Sequence, residues 1–407
     1  MAGCLSARAQ AGLVRLGTRL PFAAAAAESA CCWRIPVSTS TARRQTEAAG
    51  AAYDAVQPAA AGTLAQAVAA PGPAGPPCQF WSADGAMAPL VGGAWAEVKA
   101  LAVGTGEAAP APATPRPRTD LSYYSRLAAA ETFTRLALVE AHRRGVPTAG
   151  TVVAVTDGSP WLQGCLDEHR PDAVRTLDFP HAVEHLTAAA QATFGADDDR
   201  AASWVAAQAP TLKHGDPMPA LLAPLDLPVR AAPQPAAAAP ARRATLRYLA
   251  ARWDAIRYAR LQAAGYPIGD GAVESANKRI PQARLKGSGM RWQRANVNPM
   301  LALRTGSAND RWEEAWPQLR APARTATAAR RRQQRQARRA AAAPPTVATS
   351  VPPPPAPGPP AATPTARPSR RTSAIPALPP GRTGRPHPWS YQARLNARSL
   401  PDSHARL

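Results

Sequence analysis

Lysine is almost missing from this chain: four residues against 44 arginines. Cysteine is scarce as well. Cys4, Cys31, Cys32, Cys78 and Cys165 make an odd count with no CxxC pair. That excludes a disulfide framework and a structural zinc site built on cysteine, and it fits a reducing cytosol. Aromatics are 5% of residues, and much of the 45% apolar content is alanine, which buries little area per residue. No apolar run approaches the roughly 18 residues that span a bilayer, so no membrane partner is expected. Arg8, Arg15 and Arg19 precede Ala23 to Ala27, but without an apolar core this is no signal peptide, and a cytoplasmic location is expected.

Proline and positive charge, by contrast, are abundant. Of the 46 prolines among 407 residues, 18 fall in residues 321–407, which also hold 15 arginines and one acid, Asp402. Residues 81–320 are nearly balanced, with 27 basic and 23 acidic residues, inside a total net charge of +21. Residues 1–77 are rich in Ala, Gly, Ser and Pro with no sustained period. Both ends therefore read as disordered, low-complexity segments around one globular middle. A polycationic tail favours nucleic acid through counterion release. Arginine-rich ends also arise from coding bias, which the lysine scarcity fits, and the tail alone does not decide between the two.

Within the middle, Gln79 to Asp84 reads as a strand, Met87 to Val91 as a short second one, and Trp95 to Val103 as a third, all antiparallel. A Pro-rich connector follows from Ala108 to Arg118. Residues 121–144 carry a helical stripe including Leu127, Leu136, Leu138 and Val139. Thr151 to Asp157 is a continuous apolar run closing on an acid, as in a parallel strand buried on both faces. A short helix over 160–169, a strand from Ala173 to Asp178 and a helix starting near Pro180 complete a mixed α/β sheet. Residues 182–265 are helical and Ala-rich, broken by a Pro/Ala linker at 227–240. Arg242 to Ala264 is the clearest helix there. Asp270 caps a further helix bearing Glu274.

Three segments carry the chemistry: Ser82-Ala83-Asp84-Gly85, Thr156-Asp157-Gly158-Ser159 and Gly271-Ala272-Val273-Glu274-Ser275-Ala276-Asn277-Lys278. Acids at the C-terminal ends of parallel strands lie where such sheets build sites. Phosphodiester cleavage uses two hard cations about 4 Å apart, held by carboxylate oxygen. Asp84 and Asp157 on neighbouring strands with Glu274 on a facing helix supply such a set, although Asp-Gly is also a common turn and Glu274 also complements a helix dipole. Asp178, His181, Glu184 and His185 form a second cluster. As a zinc site it is incomplete; Asp178 caps a helix, or stands with His181 beside the metal site. A third feature is basic: Lys278, Arg279, Arg284, Lys286, Arg291 and Arg294 occur with no acid from Ser275 to Asn309. They suit a polyanionic substrate, and Trp292 among them either stacks on an unpaired base or packs in the core.

Five stretches, SADGAMAPLVGGAWAEVK, TDGSPWLQGCLDEHRPDAVRTLDFPHAVEHL, LRYLAARW, GYPIGDGAVESANK and ARLKGSGMRWQRANVNPMLALR, occur in order over roughly residues 80–316. Together they resemble the DDE transposases of bacterial insertion sequences, in particular the Kra-type family, related in layout to Mutator-like elements. The resemblance implies an RNase H-like fold with a helical insertion before the last acid. It divides the chain into a core first part at 78–181, the insertion at 182–268, and a C-terminal helix with its basic segment at 269–320. It implies Asp84 on the first strand, Asp157 on the fourth and Glu274 opening the helix after the insertion, holding two Mg2+ or Mn2+ ions. Asp178 and His181 match an Asp-x2-His signature of this wider group. The implied reaction is nicking at element ends, then attack of the freed 3′-hydroxyl on target DNA, in a nucleoid-associated enzyme that acts as a homo-oligomer in many relatives. Residues 1–77 show no DNA-binding module, the tail matches nothing in the family, and Pro281 falls inside a helix where it costs about 3 kcal/mol or more unless the helix kinks or ends. These departures read as a truncated or degenerate copy. The alternatives are an inactive remnant binding DNA through charge, and a disordered basic polypeptide.

Overall fold

Period-two alternation along the first strand sends Trp81 and Ala83 to one face and Ser82, Asp84 and Ala88 to the other. In the computed structural model, which describes residues 5–66, 75–106, 120–317, 332–333 and 335–336, both faces are covered. The strands are β1 (Cys78–Pro89), β2 (Trp95–Thr105), β3 (Leu121–Arg126), β4 (Thr151–Thr156) and β5 (Val174–Leu177). They form one sheet in the order β3-β2-β1-β4-β5. β1, β2 and β3 pair antiparallel, while β4 adds to β1 and β5 to β4 in parallel. The chain is thus α/β with a five-stranded mixed sheet.

Two strand expectations change. β1 runs unbroken through Asp84-Gly85, so Met87 to Pro89 continues it and is no separate strand. The third strand is Leu121–Arg126, which the helical stripe had absorbed; Tyr123 and Tyr124 there are buried against β2. Aromatic residues suit a pleated, half-buried surface better than a helix.

The first face packs on α5 (Ala130–Arg143) and α6 (Pro160–His169) through Trp81, Leu101, Val152, Phe133 and Leu162. A parallel strand needs such a crossover, and α5 and α6 provide it before β4 and β5. After β5 come α7 (Phe179–Phe194), α8 (Asp199–His214), α9 (Pro217–Leu222), α10 (Pro235–Ala250) and α11 (Tyr258–Ala263). Their shared core holds Leu186, Leu212, Leu249, Ile256 and Tyr258 and reaches Leu177 on β5. The helix read over Arg242 to Ala264 is broken by a 3-10 turn at Trp253–Ile256, and the Pro/Ala linker contributes to α10, with Pro235 in its first turn. Proline is tolerated there because that N–H has no helical partner anyway.

The chain then crosses the second face as α12 (Gly271–Asn277), a π turn at Lys278–Gln282, α13 (Ala283–Leu285) and α14 (Arg294–Ala308). Pro281 lies in the π turn, where the widened hydrogen-bond pattern absorbs a residue that cannot donate. Val273, Ala276, Ile280 and Leu301 pack there on Val98, Ala100 and Tyr123 of the sheet.

The expectation of disorder over residues 1–77 is corrected for residues 7–66, and its remainder at 1–4 and 67–74 lies outside the described residues. Residues 7–66 form α1 (Ala7–Arg19), α2 (Phe22–Trp33), α3 (Thr39–Asp54) and α4 (Val56–Gln66). α3 lies on α14 so closely that a Cβ on Gly50 would sit 2.4 Å from the Pro299 carbonyl oxygen. Backbone proximity at Gly50 carries part of this contact, and the Tyr53 ring of α3 packs near Gly306 of α14. The expected disorder of 321–407 lies outside the described residues, apart from 332–333 and 335–336, which are helical.

Candidate functional site

The β1–β4 ladder ends on the pair Ser82 and Val155. Two residues beyond that pair stand Asp84, still on β1, and Asp157, one residue past the end of β4. Equal offset on adjacent parallel strands, about 4.8 Å apart, makes the two acids level and sends them to the same face. That face is the one α12 crosses: Asn277 Nδ2 donates to Asp84 Oδ2 at 2.9 Å. Burial raises the Asp84 carboxyl to about 6, the Gly85 N–H pulls it back, and the negative charge of Asp157 pushes it further up.

Asp157 follows the last residue of β4 in an Asx turn, with Oδ1 accepting from Ser159 N at 2.8 Å. The next residue, Gly158, has φ +74, and a Cβ there would meet Arg252 Nε at 2.3 Å. Only glycine fits both demands. The insertion holds this turn from outside. Arg252 Nη2 donates to the Gly158 carbonyl at 2.6 Å, Tyr248 OH donates to the Asp157 carbonyl, and the Arg252 guanidinium lies 3.7 Å from the Tyr248 ring centre.

Asp178 locks two helices together. Its Oδ2 accepts from His181 N at 3.1 Å, capping α7, and its Oδ1 accepts from Asp270 N at 3.0 Å, anchoring the start of α12. Both oxygens are engaged by backbone, so Asp178 works by positioning. Asp270 stands at the head of α12, but its side chain makes no cap hydrogen bond. Burial, then the charges of Asp178, Asp84 and Glu274, push its carboxyl up to about 7. Glu274, one turn later, is exposed and pairs with Lys278 Nζ at 3.0 Å.

His181 Nδ1 pairs with Glu184 Oε2 at 3.1 Å, which raises the imidazole, while His185 stacks on Tyr248 at 3.6 Å between ring centres. Burial and the neighbouring His181 and Arg252 push His185 down to about 4. Among the described residues no third ligand joins the two imidazoles in a metal-binding group, so the zinc reading has no support in this geometry.

Asp84 therefore feels the charge of Asp157, and Asp270 feels those of Asp84, Asp178 and Glu274, which links the sequence-selected acids through Asp270. Among the described residues, however, no three His, Cys, Asp or Glu side chains are arranged as a ready metal-binding group. The donor chemistry fits a hard divalent cation, because mutually repelling, partly desolvated carboxylates are what such an ion neutralises. The arrangement is not closed around one, because Glu274 is turned to Lys278.

The basic segment divides. Lys278, Arg279, Arg291 and Arg294 are exposed, and Lys286 is half-buried. Arg284 and Trp292 are buried, at 2% and 6% exposure. Trp292 packs edge-on against Phe22 and sits in the core under β1 and β2, so it has no face for a base. Arg284 lies over both rings, its guanidinium buried beside them.

Sequence reasoning missed Asn277, Tyr248, Arg252 and the burial of Asp270. Asn277 is three residues after Glu274 and shares its helix face, a spacing that could have flagged it. Tyr248 and Arg252 lie in the LRYLAARW stretch, four residues apart. No family model and no curated protein matches the chain.

Proposed function

We propose that the chain is a DDE transposase of the insertion-sequence type, with an RNase H-like core and a helical insertion. It cleaves and joins DNA strands with Asp84, Asp157 and Glu274 as the carboxylates of one site. The observation that carries this reading is the level placement of Asp84 on β1 and Asp157 just past the neighbouring parallel β4, with Asp84 hydrogen-bonded to the helix of Glu274. The helical stretch between β5 and α12 is the segment this reading takes as the insertion.

Asp84, Asp157 and Glu274 would hold the Mg2+ or Mn2+ ions, which when bound polarise phosphoryl oxygen and lower the pKa of attacking water. The chain's own residues prepare the place. Asp178 sets the angle of α12 against the sheet. Tyr248 and Arg252 fix the Asp157 turn from the insertion side. Asn277 orients the Asp84 carboxylate. The exposed Lys278 and Arg279, which follow Glu274 directly, would hold DNA phosphates beside the acids. Lys278 must release Glu274 for the latter to serve as a ligand. An exposed pair of this kind is worth only about 0–1 kcal/mol, so that release is cheap.

The test is cleavage of element-end DNA with Mg2+ or Mn2+. Wild-type chain nicks it, and Asp157→Asn reduces the rate by at least a hundredfold; cleavage surviving that change contradicts the reading. The unclosed acid set favours one rival, a remnant that binds DNA by charge without cutting. It predicts salt-sensitive, sequence-indifferent binding that is the same in wild type and Asp157→Asn.

A further inference from the structure

Buried charge normally comes with a counter-charge, because an unpaired ion in a low-dielectric interior is costly. Arg284 breaks that rule. Its Nε donates to the Gly17 carbonyl at 3.1 Å, and its Nη1 reaches only the Met290 sulfur, at 3.7 Å. Its Nη2 is buried with no hydrogen-bond partner. The guanidinium lies 4.6 Å from the Phe22 ring centre and 5.0 Å from that of Trp292. Burial, then the charge of another cation, Arg304, pulls the guanidinium down to about 10. The Trp292 indole Nε1 is also buried without a partner.

Both side chains line the same cavity, about 580 Å³, between the start of α2, α3 and the connection from α13 to α14. Arg43 and Arg291 stand on its wall with exposed side chains. Among the described lining residues Glu47 is the single carboxylate. It is spoken for by Asn296, whose Nδ2 donates to Oε1 at 2.9 Å, and by Arg43 at 4.0 Å. Met290, a flexible thioether and a weak acceptor, occupies the place beside Arg284 where a strong acceptor is missing.

We propose that this cavity binds a single phosphate group, the terminal phosphate of a nucleotide or of a nucleic-acid strand. Arg284 is the buried anchor, the Trp292 indole N–H a second donor, and Arg43 and Arg291 the entrance charges. A phosphate oxygen replaces the Met290 sulfur on the guanidinium, exchanging a weak contact for a charge-assisted hydrogen bond. The volume suits a mononucleotide or one strand end and is far too small for a duplex. The inference does not depend on the carboxylate site and holds equally for a chain that cuts nothing.

The experiment is thermal unfolding of the full chain without divalent cations, so that strand cleavage does not intervene. The probes are inorganic phosphate, deoxyadenosine 5′-monophosphate, deoxyadenosine, and a short single-stranded oligonucleotide with either a 5′-phosphate or a 5′-hydroxyl. Phosphate and the monophosphate should raise the midpoint, and the nucleoside should not. A larger rise with the 5′-phosphorylated strand than with its 5′-hydroxyl twin marks a strand end as the ligand; a rise confined to the small phosphates marks a free nucleotide. Arg284→Met keeps the bulk without the charge and should weaken binding at least tenfold. Arg291→Ala, on the surface, should weaken it several-fold with folding intact, which keeps the test alive if Arg284→Met does not fold. No rise with any phosphate probe, or a rise unchanged in both variants, overturns the proposal.

Discussion

Two concentrations of charge lie on either side of Glu274 in the sequence, and folding treats them in opposite ways. The acids come from far apart, at 84, 157, 178, 270 and 274, and burial with the charges of the others raises the proton affinity of Asp84, Asp178 and Asp270. The bases come from one continuous run and are scattered. Four point outward, while Arg284 sinks into an aromatic cavity with Trp292. Charge pattern read along a chain thus locates chemistry well when strand ends force convergence. It locates chemistry poorly when a helix turns consecutive residues through every direction.

That contrast can be broken at Trp292. If it belongs to the core, Trp292→Ala costs about 3–5 kcal/mol in urea unfolding. A base-stacking tryptophan would cost almost nothing in free protein. On the acidic side, Asp178→Ala removes two carboxylate–backbone bonds and unties α7 from α12. A loss of about 2–3 kcal/mol is expected, since burial already offsets part of what those bonds contribute. A loss under about 0.5 kcal/mol would mean the helices are held by packing alone.

Smaller and opposite in sign is the effect at Asp270. Its folded carboxyl, at about 7, lies above the value in an unfolded chain, so the folded state holds the proton more tightly. Stability from this group is therefore present at low pH and lost as pH rises from about 4 to 7. Asp270→Asn should remove the loss: a gain of roughly 1–2 kcal/mol at pH 8, shrinking toward zero by pH 4. A gain of equal size at both pH values would show that charge repulsion is not its cause.

What could be read from the sequence follows the same physics. Apolar runs ending in Asp157 and Asp178 identified β4 and β5, because a strand buried on both faces leaves a one-dimensional signature. Leu121–Arg126 was read as helix because the leucine stripe of α5 extends the helical period backwards across it. Asp84-Gly85 was read as a turn because that pair often makes one; pairing with β2 along the whole length of β1 overrides local preference. The helices within 7–66 are hard to read because many of their buried residues are small, among them Ala25, Ala26, Ala42, Ala49 and Gly50, so few large side chains mark a stripe. Asn277 and Arg252 matter only through partners more than ninety residues away, which spacing along the chain does not encode.

The claim on which the account turns is that Asp84, Asp157 and Glu274 act as one cation-binding set. Thermal unfolding with and without Mn2+ at pH 8 tests it without relying on activity. Wild-type chain should gain about 2–3 kcal/mol at a hundredfold excess over Kd, and Asp84→Asn, Asp157→Asn and Glu274→Gln should each lose most of that gain. An unchanged gain in all three variants, or none in the wild type, would contradict it.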